Sequence, residues 1–318
     1  MKHGGNVWQG RGPGDWLDFS ANLRPEGPPD WVMDTLRRAL GDVRYYPDRA
    51  MTAAREGLAA YAGVPMENVL PTAGGEAAID LALTLRQGPV DAEPVTFGAY
   101  AERAILHGRP LGAGSAATVV RCNPNNPTGS VRSRRQMLDE AKAGAELIAD
   151  EAFIDFCPEY SLRGDVCDTV TVVGSLTKIL GIPGVRLGYV IASPRNIARL
   201  EKQALDWQLS ALASAVAAEL PNHLSQIAAD AAVNTRRRAA FAAELTQLGA
   251  SVYPSRANFL LCDFGRDMTG AAERLKARGI LVRTCASFGL SGGHLRLAVK
   301  TEQENQRFIK ELKQCLAY

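Results

Sequence analysis

The sequence predicts an α/β protein with a large, mostly parallel-sheet domain and a smaller α+β domain at its C-terminal end. Three patterns predict it. Short β-branched runs alternate with alanine-rich helical stretches up to about residue 192, the text is helical over 194–248, and short strands return after that. At 318 residues the chain can bury one large core and one smaller one.

Each element follows from its local text. The first forty residues are rich in Gly and Pro and predict an arm laid over the rest of the molecule. "PTAGGEAAIDLAL" places Gly74 and Gly75 directly before a helix. Strands are predicted at "PVTF" (94–97), "TVVRC" (118–122), "ELIAD" (146–150), "TVTVVGS" (169–175) and "RLGYVIA" (186–192), with helices between most of them. The helical text over 194–248 breaks near Pro221 and is expected to hold a long helix linking the two domains. "SVY", "NFLLCDF", a helix near 269–278, "GILVRT", "HLRLAV" and a final helix from Thr301 complete the smaller domain. The expected division is an arm over 1–35, a large domain over 36–205 and a small domain over 206–318.

Composition narrows the function. A net charge of +2 with interspersed signs leaves no nucleic-acid footprint, and "RSRR" (132–135) and "RRR" (236–238) read as solvated helix surfaces. No apolar run reaches the ~18 residues needed to span a bilayer, and "MKHGGNVWQGRG" lacks an apolar signal segment. The six cysteines never form a C-x-x-C pair. These features predict a reduced, cytoplasmic protein with no membrane or nucleic-acid partner and no metal.

The chemistry centres on "SLTKILGIPGVRLG", residues 175–188. Ser175, Thr177 and Arg186 supply two hydroxyls and a guanidinium fork suited to a phosphate dianion. A lysine, Lys178, beside such a site suggests covalent attachment of pyridoxal 5'-phosphate. That cofactor requires further parts. A buried carboxylate keeps its ring nitrogen protonated, and Asp150 ends the "ELIAD" strand. Gly74 and Gly75 offer backbone amides at a helix N-terminus. Tyr100 in "VTFGAY" offers an aromatic face, and Asn126 in "CNPNNPTG" a donor to the phenolic oxygen. Taken singly, Asp150 could cap a helix and "NPNNPTG" could be a proline-rich turn. The set together carries the reading.

In order, "NPNNPTG", "DEAF" and "SLTKILGIPGVRLG" resemble the fold type I pyridoxal-phosphate enzymes of the aspartate aminotransferase group, over nearly the whole chain. The resemblance implies that Lys178 carries the cofactor, Asp150 pairs with the pyridine nitrogen, Asn126 bonds the phenolic oxygen and Tyr100 stacks on the ring. Gly74, Gly75, Ser175, Thr177 and Arg186 would hold the phosphate, joined by Tyr46 of "YYPD" from a second subunit, which implies a homodimer.

Within that group, "HGGN" (3–6), "LDFSANLRPEGPP" (17–29) and "HLRLAVKTEQENQ" resemble the threonine-phosphate decarboxylases of cobalamin biosynthesis, with the histidinol-phosphate aminotransferases next. Phe153 in "DEAFIDF" stands where many aminotransferases place a tyrosine. This implies that Arg296 and Asn22 orient a substrate carboxylate while His3, Asn6 and Arg283 hold a distal phosphate. The implied reaction is decarboxylation of L-threonine O-3-phosphate to (R)-1-amino-2-propanol O-2-phosphate. The alternative is transamination of a phosphorylated amino substrate such as histidinol phosphate, and more remotely a catalytically silent cofactor-binding protein.

Two departures from the family pattern stand out. Only the 22 residues 101–122 separate Tyr100 from Asn123, where the family places a further strand and helix. The sequence leaves room there for one short helix and one strand. In "TAGGEAAI" the polar cluster of the relatives is reduced, leaving backbone amides as the phosphate ligands.

Overall fold

The computed structural model describes residues 4–8, 12–112, 116–141 and 144–316. His3 lies outside them. The first half of the chain runs through β1 (Leu17–Asp18), α1 (Asp30–Ala39), α2 (Thr52–Ala62), β2 (Val69–Thr72), α3 (Gly75–Ala82), β3 (Val90–Ala92), α4 (Ala99–Leu106) and β4 (Thr118–Cys122). It continues with α5 (Arg134–Ala141), β5 (Glu146–Asp150), β6 (Val170–Ser175) and β7 (Gly188–Ile191). Six of these strands form one sheet in the order β2-β7-β6-β5-β4-β3. The pairs from β3 to β6 are parallel, while β7 runs antiparallel to both β6 and β2.

The central strands are apolar on both faces because both faces are covered. Val119, Leu147, Val172 and Tyr189 point into one core, and their neighbours Val120, Ile148, Val173 and Val190 into another on the opposite face. Glu151, just past β5, accepts Leu162 N–H at 2.6 Å and Ser161 Oγ at 2.7 Å, which anchors this strand end.

Two strand predictions change. "PVTF" is not a strand: β3 ends at Ala92, and the segment is captured as a loop by Asn125. Thr96 Oγ1 donates to Asn125 Oδ1 at 2.7 Å, and Asn125 Nδ2 to the Val95 carbonyl at 3.0 Å. β2 was not predicted, because Pro71 sits in it. It is tolerated there because β2 is an edge strand.

The shortened segment is one helix, α4, and one strand, β4, as the sequence allows. Between them Leu111 makes a single parallel bridge to Val90 at the sheet edge. Buried Arg109 closes the connection, donating to the carbonyls of Gly88 and Leu83 at 2.9 and 2.8 Å and to Thr118 Oγ1 at 2.7 Å.

The second half comprises α6 (Pro194–Glu201), α7 (Ala211–Glu219), α8 (Leu224–Gln247), β8 (Ser251–Val252), β9 (Phe259–Asp263) and α9 (Thr269–Ala277). β10 (Ile280–Leu281), β11 (Arg283–Thr284), β12 (His294–Ala298) and α10 (Glu302–Leu316) follow. Ser193 and Ser210 cap α6 and α7 by accepting backbone N–H groups three residues on. α7 packs into the larger core through Ala213, Val216 and Ala217. The long helix α8 serves both parts: Ile227 and Ala231 join that core, while Phe241 and Leu245 join the smaller one. The smaller part carries a four-stranded antiparallel sheet, β11-β12-β9-β8. The arm is fixed to it. β1 pairs in parallel with β10, and the Phe19 ring lies 4.5 Å from Phe308 and 5.8 Å from Phe241. Among the described residues, no helix is long and apolar enough to cross a membrane, and no group of His, Cys, Asp and Glu could hold a metal ion.

Candidate active site

A cavity of about 390 Å³ opens where the parallel strands end, between the large sheet, the small sheet and the arm. The last residues of β4, β5 and β6, namely Cys122, Asp150 and Ser175, all line it. Carboxyl ends of parallel strands are where α/β sheets place ligands, since the following loops diverge there.

Asp150 is the buried acid of this cavity. Its Oδ1 accepts the Ala152 N–H at 2.9 Å and its Oδ2 the Tyr100 hydroxyl at 2.5 Å. Burial raises its pKa, opposed by the bond from Tyr100. Tyr100 is fully buried on α4 despite the shortened segment that follows, and its hydroxyl clamps the carboxylate.

Lys178 lies across the cavity, partly buried. Burial, together with the guanidinium groups of Arg296 and Arg186, brings its pKa down from 10.5 to about 8. About a tenth of its amine is therefore neutral at pH 7, far more than for an ordinary lysine. Its backbone carbonyl accepts the N–H of Arg24, so the arm touches the loop that carries it.

The predicted phosphate cradle comes together. Gly75 begins α3, with Gly74 before it at φ 94°. A Cβ on Gly74 would stand 2.7 Å from Arg186 Nη2 and push that side chain aside, and φ 94° itself favours glycine. Ser175 Oγ and Thr177 Oγ1 are both buried and 2.8 Å apart. Arg186 lies exposed at the rim.

Arg296 Nη1 donates to Asn126 Oδ1 at 2.7 Å, and Nη2 to the Ser20 carbonyl. Because arginine only donates, this bond identifies the oxygen end of the Asn126 amide and leaves its N–H₂ as the donor. Arg296 Nε is buried without a partner among the described residues, as is Asn22 Oδ1. Burial brings the Arg296 pKa down to about 10.

Arg283 donates to Ser287 Oγ at 2.6 Å, and its guanidinium lies 5.3 Å over the Phe288 ring. In the ladder of β11 and β12, Arg283 sits directly opposite Arg296. Both are about 95% buried. Like charges facing each other across strands destabilise a sheet unless an anion bridges them.

Other predicted residues stand further off or act through packing. Phe153 lines the cavity and packs edge-on against Phe259 at 5.0 Å. Asn6 lines a neighbouring pocket. Tyr46 is 80% exposed and packs at a tilt against Trp207, ring centroids 4.6 Å apart, and does not line its own cavity. The sequence reading missed Glu76, Glu102, Ser287 and Phe288, which also line the cavity. Of these only Ser287 carried a signal, four residues after Arg283 in "VRTCAS".

These residues fit pyridoxal phosphate. The site holds an amine of lowered pKa, a buried carboxylate clamped in place, and a cradle that a Cβ at Gly74 would fill. A model of the class I and II aminotransferase family matches residues 109–312. A histidinol-phosphate aminotransferase of Mycobacterium tuberculosis is 34% identical over 90% of this chain and 84% of its own length. The threonine-phosphate decarboxylase of Salmonella typhimurium is 33% identical over 99% of this chain and 96% of its own. Among solved structures, the L-threonine-O-3-phosphate decarboxylase of Porphyromonas gingivalis superposes with a TM-score of 0.85 at 23% identity, covering 94% of this chain and 99% of that one. The histidinol-phosphate aminotransferase of Sinorhizobium meliloti, solved in complex with pyridoxal-5'-phosphate, also gives 0.85, at 20% identity over 93% of this chain and 89% of that one.

Proposed function

Because the chain belongs to the class I and II aminotransferase family, whose members work with pyridoxal phosphate, we propose that it decarboxylates L-threonine O-3-phosphate to (R)-1-amino-2-propanol O-2-phosphate for cobalamin biosynthesis. The cross-strand pair of Arg283 and Arg296 carries this reading. Two buried guanidinium groups side by side call for a ligand with two anionic ends, and this substrate has a carboxylate and a phosphate.

Lys178 would hold the aldehyde carbon of the cofactor, Asp150 its ring nitrogen, Asn126 its phenolic oxygen and Tyr100 its ring face. Gly74, Gly75, Ser175, Thr177 and Arg186 would hold its phosphate. Bound there, the cofactor supplies an electron sink for the bond that breaks at the substrate Cα. Arg296 binds the substrate carboxylate, and Asn22 beside it orients the group. Arg283, fixed by Ser287, binds the phosphate. Lys178 Nζ, with a pKa near 8, can both hold a proton and release it to Cα after carbon dioxide departs. Phe153 and Phe288 wall the cavity with apolar surface and exclude water.

The protein would work as a cytoplasmic homodimer. Exposed Leu40, Val43, Tyr45, Tyr46 and Leu205 give a second copy an apolar surface to cover, and Tyr46 of that copy reaches the cofactor phosphate. The second reading, transamination of a phosphorylated amino substrate such as histidinol phosphate, is supported by the relatives that carry that name. It uses the same anchors and differs in whether hydrogen or carboxylate leaves Cα.

Comparing L-threonine O-3-phosphate with L-threonine tests the assignment of the arginines. The holoenzyme should favour the phosphorylated substrate in kcat/KM by at least about a hundredfold, the scale set by leaving a buried charge unpaired. Arg283→Gln should erase that preference, and Arg296→Gln should depress both substrates. Equal use of the two substrates by the unaltered enzyme would refute the reading.

A further inference from the structure

A second cavity, of about 150 Å³, lies beside the first under the arm. Gly4, Ser20 and Arg283 line both, so the two chambers meet at one guanidinium. The outer chamber adds Asn6 from the arm and Glu273 and Lys276 from α9. The arm seats closely at the junction, since a Cβ on Gly4 would stand 1.9 Å from the Ser20 carbonyl oxygen.

Lys276 is partly buried there, and among the described residues it has no carboxylate partner. Glu273 stands three residues earlier on the same helix face, the spacing at which such pairs commonly form, and it lines the chamber too, but it is exposed and makes no ion pair with Lys276 among the described residues. Lys276 therefore lines the chamber without a direct ion pair, and with Arg283 gives it two cations against the one carboxylate of Glu273. Arg283 is held from the other side by Ser287 and Phe288, and so waits at a fixed position.

We propose that the outer chamber is the arrival subsite for the phosphate-monoester end of the substrate, with Lys276 as a specificity-determining cation that passes the dianion inward to Arg283. This rests on the reading that the substrate carries a phosphate. The two side chains suit the two tasks. A lysine ammonium is a compact, strongly hydrated charge that attracts an anion without a fixed geometry, whereas the planar arginine fork grips phosphate at defined positions. A cation at the mouth of a cleft acts mainly on encounter, and its effect fades with ionic strength.

Lys276→Glu and Lys276→Gln holoenzymes test this. At low salt, Lys276→Glu should lower kcat/KM for L-threonine O-3-phosphate about three- to tenfold, more than it lowers kcat, and flatten the dependence of kcat/KM on ionic strength. Lys276→Gln should fall between, and the effect should vanish for L-threonine. Calorimetric titration with inorganic phosphate gives a readout that needs no turnover. The unaltered holoenzyme should bind it, and Lys276→Glu should bind it at least threefold more weakly. Phosphate binding that is absent from the unaltered holoenzyme, or equal in both proteins, would overturn the subsite whatever the reaction. Absence of product from L-threonine O-3-phosphate with phosphate binding still sensitive to Lys276 would instead remove the functional reading and leave an anion subsite in place.

Discussion

Replacing Lys178 with methionine should stabilise the cofactor-free protein near neutral pH. The lysine is partly buried, and burial, with the nearby charges of Arg296 and Arg186, moves its pKa from 10.5 to about 8. Unfolding relieves that environment, so below pH 8 the folded state carries a cost for keeping the amine charged. At ~1.4 kcal/mol per pH unit, the displacement of 2.5 (10.5 less 8) sets an upper bound of about 3.5 kcal/mol. Cavity solvent screens part of it, which leaves about 1–2 kcal/mol. Methionine keeps most of the apolar stem and removes the charge. The sign follows from proton counting. Between pH 8 and 10.5 the unfolded chain holds a proton that the folded chain has lost, so the unaltered protein gains stability as pH rises through that window. Urea unfolding of both cofactor-free proteins should show Lys178→Met ahead by about 1–2 kcal/mol at pH 7, with the gap closing near pH 10.5. A gap independent of pH, or a less stable variant at pH 7, would refute the reasoning.

Further outcomes are expected elsewhere in the molecule. Glu146 is buried with neither carboxylate oxygen hydrogen-bonded among the described residues, and burial lifts its pKa from 4.5 to about 7. The folded state then binds the extra proton between those values, so Glu146→Gln should raise stability by about 1–3 kcal/mol at pH 8 and lose that gain near pH 4.5. An equal gain at both pH values, measured by urea unfolding, would contradict this. Gly74→Ala places a Cβ against Arg186 and strains a left-handed backbone, so fluorescence titration should show cofactor affinity at least about tenfold weaker. Unchanged affinity would contradict the cradle. Tyr100→Phe removes the donor that holds Asp150, and should weaken cofactor binding about three- to tenfold while the fold is kept. An unaltered cofactor Kd would show that the clamp is not needed.

Much of the architecture was legible because its parts repeat one physical rule. β4, β5 and β6 are buried on both faces, so "TVVRC", "ELIAD" and "VTVVGS" read as continuous apolar text and their ends locate Cys122, Asp150 and Ser175 on one cavity. β2 escaped notice because Pro71 weakens a strand signal whose position at the sheet edge only topology reveals. "PVTF" misled in the opposite direction, since its β-branched residues are held in a loop by Asn125, 28 residues from Phe97. Lys178, Asp150 and the cradle residues were readable because their chemistry demands those residue types at strand ends. The pairing of Arg283 with Arg296 was not, because register between strands is set by the whole sheet. Nor was the hold of Tyr100 on Asp150, a contact between positions 50 residues apart.

Which bond to the substrate Cα breaks separates decarboxylation from transamination, and product mass reports that directly. Purified holoenzyme would be incubated with L-threonine O-3-phosphate, with and without 2-oxoglutarate, and the products weighed by mass spectrometry. A product lighter by carbon dioxide, formed equally well without the keto acid, is the result predicted here. An oxo-acid product that forms only when 2-oxoglutarate is supplied would contradict it and establish an aminotransferase.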